Sequence, residues 1–159
     1  MPIPGFDAGN SPTEYTPARF EDATLVMTTS NGTRAILHAA GAERVVIACL
    51  NNLSAVCELL AAQERPIVVV CAGDKGQIAL EDVLVAGGIV ARLGMDADDA
   101  GRLALSAFER HRDDLEGAMW QSAGGVRLRS LGYDEDIRIA ARLDTLRVVP
   151  WMDAGVIRL

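Results

Sequence analysis

The sequence predicts an α/β fold: a mostly parallel sheet flanked by helices in three layers, α/β/α, with further helices and edge strands late in the chain. Three observations predict it. Apolar, β-rich runs recur three times, each followed by a polar or glycine-rich break and then a helical pattern. The third run is apolar throughout instead of alternating, as expected of a strand covered on both faces. Half of the 159 residues are hydrophobic and only 4% are aromatic, so the core must be built from Val, Ile, Leu and Ala. A chain of this length fits one domain, assigned here to residues 1–159.

The elements follow in order. Met1 to Phe20 is rich in Pro, Gly, Asn, Ser and Thr, shows no period and reads as an opening loop. Thr24-Leu-Val-Met-Thr-Thr29 is the first predicted strand, broken by Ser30-Asn-Gly-Thr33, with a short helix from Arg34 to Ala40. Arg44 to Leu50 is the second, broken by Asn51-Asn52, with a helix from Leu53 to Gln63. Pro66-Ile-Val-Val-Val-Cys-Ala72 is the third, broken by Gly73-Asp-Lys-Gly76, with a helix from Leu80 to Leu93. Strands at this spacing call for right-handed crossovers, and the Ala86-Gly87-Gly88 patch suits close approach of the last helix to the sheet.

The second half changes character. Asp96 to Leu115 reads as one amphipathic helix, with Ala100, Leu103, Ala104, Ala107, Phe108, His111 and Leu115 on one face. A second helical stretch runs through Met119-Trp120 and is ended by Gly124-Gly125. Asp134 caps a helix from Glu135 to Leu143. Leu146 to Pro150 and Val156 to Leu159 read as late strands, the first held to an edge or strand end by Pro150.

Charge and cysteine usage exclude several function classes. A net charge of −7, with Lys75 the single lysine among dispersed arginines, argues against a nucleic-acid partner. No apolar run approaches the roughly 18–20 residues that cross a bilayer, and no signal-peptide pattern opens the chain, so a cytoplasmic location is expected. Cys49, Cys57 and Cys71 read as buried free thiols in a reducing compartment. Neither they nor the two histidines have zinc-ligand spacing. His111 reads as a packed helix residue and His38 as a surface one; Trp120 and Trp151 read as core or interface anchors.

In an open parallel sheet, ligands bind beyond the carboxyl ends of the strands. The polar clusters stand there: Thr28 to Thr33, Asn51-Asn52, and Gly73 to Gly76. The first is the phosphate candidate. A glycine-containing turn opening a helix directs free N–H groups and the positive end of the helix dipole at an anion. Thr29, Asn31, Gly32 and Thr33 surround that turn, and Arg34 adds a cation. The plainer alternative is that Ser30 or Asn31 caps the helix and Gly32 makes the turn. Glu81 and Asp82, in a helix's first turn after the glycine loop, are the candidate catalytic and Mg2+-ligating carboxylates. Magnesium takes hard oxygen ligands and often only one or two carboxylates. Again a plainer reading stands beside it, since acidic residues favour the dipole at that position.

These clusters also carry a resemblance. Gly5-Phe-Asp-Ala-Gly-Asn-Ser-Pro12, Thr28-Thr-Ser-Asn-Gly-Thr-Arg-Ala35 and Cys71-Ala-Gly73-x-x-Gly76-x-x-x-Leu80-Glu-Asp82 occur in the order and approximate spacing of 2-phosphosulfolactate phosphatases. Asn51 stands where that family has an asparagine after the middle strand, and Leu128, Gly132, Asp136 and Val149-Pro150 continue the likeness. The resemblance implies Mg2+-assisted hydrolysis of 2-phosphosulfolactate to sulfolactate and phosphate, in the pathway toward coenzyme M. It implies that Asn10 and Ser11 line the pocket, with Thr29, Asn31, Gly32, Thr33, Arg34, Asn51, Gly73 and Gly76 binding substrate. It further implies a segment ahead of the Gly-Phe-Asp motif, with a strand ending in an Asp-Val-x-Arg-Ala-like motif. Gly124-Gly125 departs from the expected Ser-x-Gly pattern. Two functions are therefore carried forward: a phosphatase, and a catalytically silent domain that binds a small anion or assembles with a partner or a second copy. The absence of a Gly-x-x-x-x-Gly-Lys-Ser/Thr run counts against a P-loop enzyme.

Overall fold

Helix packing dominates the architecture. In the computed structural model, residues 3–159 are described. Eight α-helices are defined: α1 Pro17–Phe20, α2 Gly32–Ala39, α3 Leu53–Ala61, α4 Leu80–Leu93, α5 Asp99–His111, α6 Leu115–Gln121, α7 Ala123–Ser130 and α8 Asp134–Ala141. Three short strands, β1 Val45–Val46, β2 Trp151–Asp153 and β3 Val156–Arg158, form one antiparallel sheet in the order β1-β2-β3. Val45 pairs with Met152, and β2 pairs with β3 around Ala154-Gly155. Both turn residues have positive φ, 47° and 83°, the backbone that a two-residue hairpin matching strand twist requires.

The expected three-layer α/β/α arrangement around a parallel sheet is therefore not the observed fold. Of the three predicted strands, residues 24–29 and 66–72 join no ladder, and only Val45–Val46 of residues 44–50 does so, antiparallel. A β-propensity run becomes a strand only where a neighbour accepts and donates along it, and these runs do not pair with one another. Leu146 to Pro150 lies outside the named strands and reaches the β1 side through an Ile47 N–H to Pro150 carbonyl bond of 2.8 Å. The opening loop holds a 3₁₀ turn at Pro12–Glu14 and the single turn α1; Met1 and Pro2 lie outside the described residues.

Helix α4 is the element around which the others pack. Leu84 is fully buried and shares one core with Leu50, with Leu53 and Cys57 of α3, and with Phe108 of α5. The small patch anticipated for sheet packing instead admits helices. A Cβ on Gly87 would lie 2.0 Å from the Ala104 carbonyl oxygen of α5, and one on Gly88 would lie 2.6 Å from Leu53 Cδ2. The α4 helix ends at Gly94, φ 60°, the left-handed cap glycine supplies best. Asp98 then caps α5 by accepting from Gly101 N–H at 2.8 Å.

Two predicted boundaries shift for local reasons. Asp96 to Leu115 is not one helix: Asp114 accepts from Gly117 N–H and starts α6, so Leu115 belongs to the next element. The buried face of α5 is set by Ala104 and Phe108, and Leu103 points outward at 73% exposure. Gly124-Gly125 does not end a helix. Ser122 caps α7 by accepting from Gly125 N–H at 3.0 Å. Any Cβ at Gly125 would strike the Met119 carbonyl at 1.9 Å, so the sharp α6–α7 joint needs glycine there. At α8 the cap position is Tyr133, with Asp134 in the first turn. Cys57 is buried as expected, whereas Cys49 and Cys71 are exposed; all three are free thiols.

Asp144 fastens the return segment to two helices. Its carboxylate accepts from the Ser54 N–H at 2.6 Å and hydroxyl at 2.8 Å, at the start of α3, and from Arg92 of α4 at 2.9 Å. Partial burial pushes its carboxyl up, but the Ser54 bonds and the Arg92 charge outweigh that and hold it below the ordinary value of 3.8. The stabilisation is complete above the unfolded value and is lost as pH falls through the folded one.

Two outcomes follow for stability. Gly87→Ala should destabilise by about 3 kcal/mol, since the clash is with backbone, read as a Tm drop of roughly 6–12 °C in a thermal melt. Asp144→Asn keeps a side chain tolerant of φ 55° but removes the charge, at a cost of about 1 kcal/mol at neutral pH. In urea titrations across pH, the gap from wild type should narrow once pH falls below 3.8.

Candidate functional site

The loop after residues 66–72 closes as a two-residue turn. Asp74 and Gln77 exchange backbone bonds of 3.0 and 2.9 Å, with Lys75 at φ 52° and Gly76 at φ 79°. Gly73, φ 67°, is required on two counts, because a Cβ there would lie 2.6 Å from the Gln77 carbonyl oxygen. Its N–H donates to Asp82 Oδ2 at 2.6 Å, so one of the paired carboxylates holds the glycine loop onto the first turn of α4.

Asn31, at the cap of α2, joins this turn to the other glycine cluster. Its amide nitrogen donates to Asp74 Oδ1 at 3.3 Å and its oxygen accepts from Lys75 N–H at 3.1 Å. Asp74 Oδ2 accepts from Arg127 of α7 at 2.7 Å. Three segments far apart in sequence thus meet: the start of α2, the 73–76 turn, and α7.

The two threonines at α2 are bonded to each other. Thr33 N–H donates to Thr29 Oγ1 at 2.8 Å, Thr29 N–H donates to Thr33 Oγ1 at 2.9 Å, and the hydroxyls lie 3.1 Å apart. One hydroxyl donates to the other, which leaves one O–H proton to offer. A Cβ on Gly32 would sit 3.2 Å from Thr29 Oγ1, so glycine keeps this bracket tight. The Gly32 and Arg34 N–H groups have no hydrogen-bond partner among the described residues, and the exposed Arg34 side chain makes no ion pair there. Two free donors, one hydroxyl and a cation at a helix N-terminus can receive a small anion.

Glu81 lies where α4 meets α7. Its Oε2 is sequestered from solvent without a hydrogen-bond partner among the described residues. A Cβ on Gly124 would approach Oε1 to 2.5 Å, so this glycine leaves the carboxylate its space. A buried, unpartnered carboxylate oxygen is costly, and a cation would relieve that cost. No group of three or more His, Cys, Asp or Glu gathers as a metal cluster among the described residues. The donor set fits an ion that takes one or two protein carboxylates and keeps water, as magnesium does, and does not fit a full protein cage.

The other candidate positions are placed elsewhere. Asn10 is exposed. Ser11 is buried and donates to Asp136 of α8 at 2.6 Å, fastening the opening loop. Asn51 spends its amide on the Ile139 and Arg142 carbonyls and the Thr145 hydroxyl, at 2.8, 3.0 and 3.1 Å. None of these bonds reaches the Asn31–Asp74 group. Gly76 serves the turn itself. Sequence reasoning named neither Asp74 nor Arg127 individually. Asp74 was legible inside the Gly-x-x-Gly run, whereas Arg127 carried no local signal because only the fold of α7 brings it there.

The family model described as 2-phosphosulpholactate phosphatase matches residues 1–155. The chain belongs to the 2-phosphosulfolactate phosphatase family. It is 36% identical over 160 residues to a probable 2-phosphosulfolactate phosphatase of Caldanaerobacter subterraneus subsp. tengcongensis, covering 98% of this chain and 66% of that one. The corresponding protein of Symbiobacterium thermophilum is 40% identical over 162 residues, covering 99% and 70%. That of Deinococcus radiodurans is 40% identical over 161 residues, covering 98% and 67%. The chain spans about two thirds of the length of these family relatives.

Asn31→Ala tests the joint between the clusters. It removes the acceptor of the Lys75 amide, a bond worth about 1 kcal/mol, so exchange of that amide measured by NMR should quicken roughly fivefold.

Proposed function

We propose that this chain is a phosphomonoester hydrolase assisted by Mg2+, acting on 2-phosphosulfolactate to release sulfolactate and phosphate. The observation that carries the reading is the convergence of an anion-receiving turn at Thr29–Arg34 with the acidic first turn of α4, through Asn31 and the 73–76 loop. Family membership supports the reaction type, and the names of the relatives suggest the substrate.

The chain's own residues divide the work. The Gly32 and Arg34 N–H groups and the free threonine hydroxyl bind phosphoryl oxygens, and the Arg34 guanidinium offsets their charge. Asn31 fixes the distance between that turn and the 73–76 loop by bonding to both Asp74 and Lys75. Arg127 holds Asp74 in place through its ion pair. Glu81 is the carboxylate with a free oxygen to hold Mg2+, and Asp82 positions Gly73 from beneath. When bound, the ion supplies polarisation of the phosphoryl oxygens and orientation of water.

A second reading has two observations in its favour. The chain spans about two thirds of its relatives, and the described residues gather no larger acidic cluster. A silent domain that receives an anion without turnover is consistent with both.

The deciding measurement is phosphate release from 2-phosphosulfolactate by the purified chain, with and without Mg2+. Release that needs Mg2+ is expected. Glu81→Ala should lower it by a factor of at least 100, while Asp82→Ala, acting through Gly73, should cost on the order of tenfold. A folded chain that binds phosphate at α2 but releases none would establish the silent domain instead.

A further inference from the structure

Lys75 is the single lysine of the chain, and it stands in the turn that Asn31 ties to the α2 cap. Its φ of 52° is a left-handed backbone that glycine, asparagine and aspartate adopt at lower cost. The turn by itself therefore does not call for lysine. The bond from Lys75 N–H to Asn31 Oδ1, 3.1 Å, fixes the backbone while the side chain is exposed. Among the described residues the Lys75 ammonium makes no ion pair.

Arg127 is also only partly used. A carboxylate commonly takes both arms of a guanidinium fork. Asp74 offers Arg127 one oxygen, Oδ2, because Oδ1 already accepts from Asn31 at 3.3 Å. The pair is therefore held through a single nitrogen at 2.7 Å, and the side chain is 52% exposed. The other terminal nitrogen and Nε of Arg127 donate to nothing among the described residues. Pairing with Asp74 orients the guanidinium without saturating it. It also sets Arg127 one carboxylate away from Asn31, the residue directly before the free Gly32 N–H.

The proposed substrate carries more charge than the α2 turn addresses. Besides the phosphoryl group it has a carboxylate and a sulfonate, the latter on the carbon next to the ester-bearing one. A sulfonate presents three oxygens in a tetrahedral array and stays ionised at any pH where proteins fold. Donors converging from separate elements suit it, a planar fork on one side and a compact ammonium on the other.

We propose that Lys75 and Arg127 form a second anion subsite, which takes the sulfonate and sets the preference for a sulfonated over an unsulfonated phosphoester. The assignment takes its substrate from the phosphatase reading, and it adds a role that support of Asp74 does not explain. Holding Asp74 uses one nitrogen of Arg127 and gives Lys75 no task. Specificity here is a difference of two affinities, so it is read as a ratio.

The test compares kcat/KM for 2-phosphosulfolactate, for 2-phospholactate, which lacks the sulfonate, and for phosphoisethionate, which lacks the carboxylate. In Lys75→Gln and in Arg127→Gln, the preference for 2-phosphosulfolactate over 2-phospholactate should fall by roughly tenfold. Lys75→Gln leaves the Asp74 ion pair in place, so it reads the subsite apart from the turn's support. A purely structural role would lower both substrates together and leave the ratio unmoved, which would overturn the proposal. So would a ratio that instead falls between 2-phosphosulfolactate and phosphoisethionate, because the carboxylate would then be the occupant. If no substrate is turned over, the phosphatase reading fails while the subsite is still decided by NMR titration with sulfolactate and with lactate. Tighter binding of sulfolactate, lost in both variants, is expected; equal or absent binding of the two would overturn the subsite.

Discussion

The contact on which the rest of the structure depends is the close approach of α4 to α5 and α3 across Gly87 and Gly88. A side chain at either position would have to share space with the Ala104 carbonyl or with Leu53. With the helices that near, Phe108 and Leu53 close over Leu84 and the helical core excludes water. Burying apolar side chains is the main favourable term, but here it is backbone proximity that lets so few aromatics suffice. Everything at the functional end is hung on this framework. The first turn of α4 carries Glu81 and Asp82, and α7 brings Gly124 and Arg127 against that turn and the neighbouring loop.

The same residues explain what was legible in the sequence and what was not. Helices with strong 3.6-residue periodicity or clear caps emerged near their predicted places, as at Leu80–Leu93 and Leu53–Ala61. The strands did not. Residues 66–72 have the composition of a buried parallel strand, yet being a strand is a property of a pair, and no neighbour in the described chain supplies the other half. The Ala86-Gly87-Gly88 patch is a site of close approach, as its small residues predict, but to helices and not to a sheet. A small patch reports that something comes near, and the sequence pattern alone does not say whether it is a sheet or a helix.

At the site, local chemistry was more informative than architecture. The motifs around Thr29–Arg34 and Gly73–Asp82 do meet, through an asparagine whose two amide atoms address two residues of the same turn. Asp82 illustrates the limit. Adjacent carboxylates look equivalent in sequence, but one oxygen of Asp82 is committed to Gly73 N–H while Glu81 retains a sequestered oxygen with no partner among the described residues. On a helix, neighbours diverge by about 100°, so a single residue's step decides which carboxylate supports the loop and which faces the gap beside Gly124. Asn51 makes the opposite point, since its motif position suggested a ligand contact and its amide is occupied by the α8 return.

One consequence follows from where the tethers lie. Every bond that joins the α2 cap, the 73–76 turn and α4 sits at the carboxyl ends of the two apolar runs, none along their length. The site's geometry is therefore set by side chains packed onto the helical core and does not require the runs themselves to be laddered. Pairing along the runs would bury Val, Leu and Met and restrict the segments that lead into both turns. It would leave the Asn31, Asp74 and Arg127 contacts unchanged, because those groups already have their partners. The helices thus place the polar and acidic groups of the turns without any ladder along the runs. Rigidity at the turns matters for phosphoryl chemistry, where most of the protein's contribution is positioning and charge compensation.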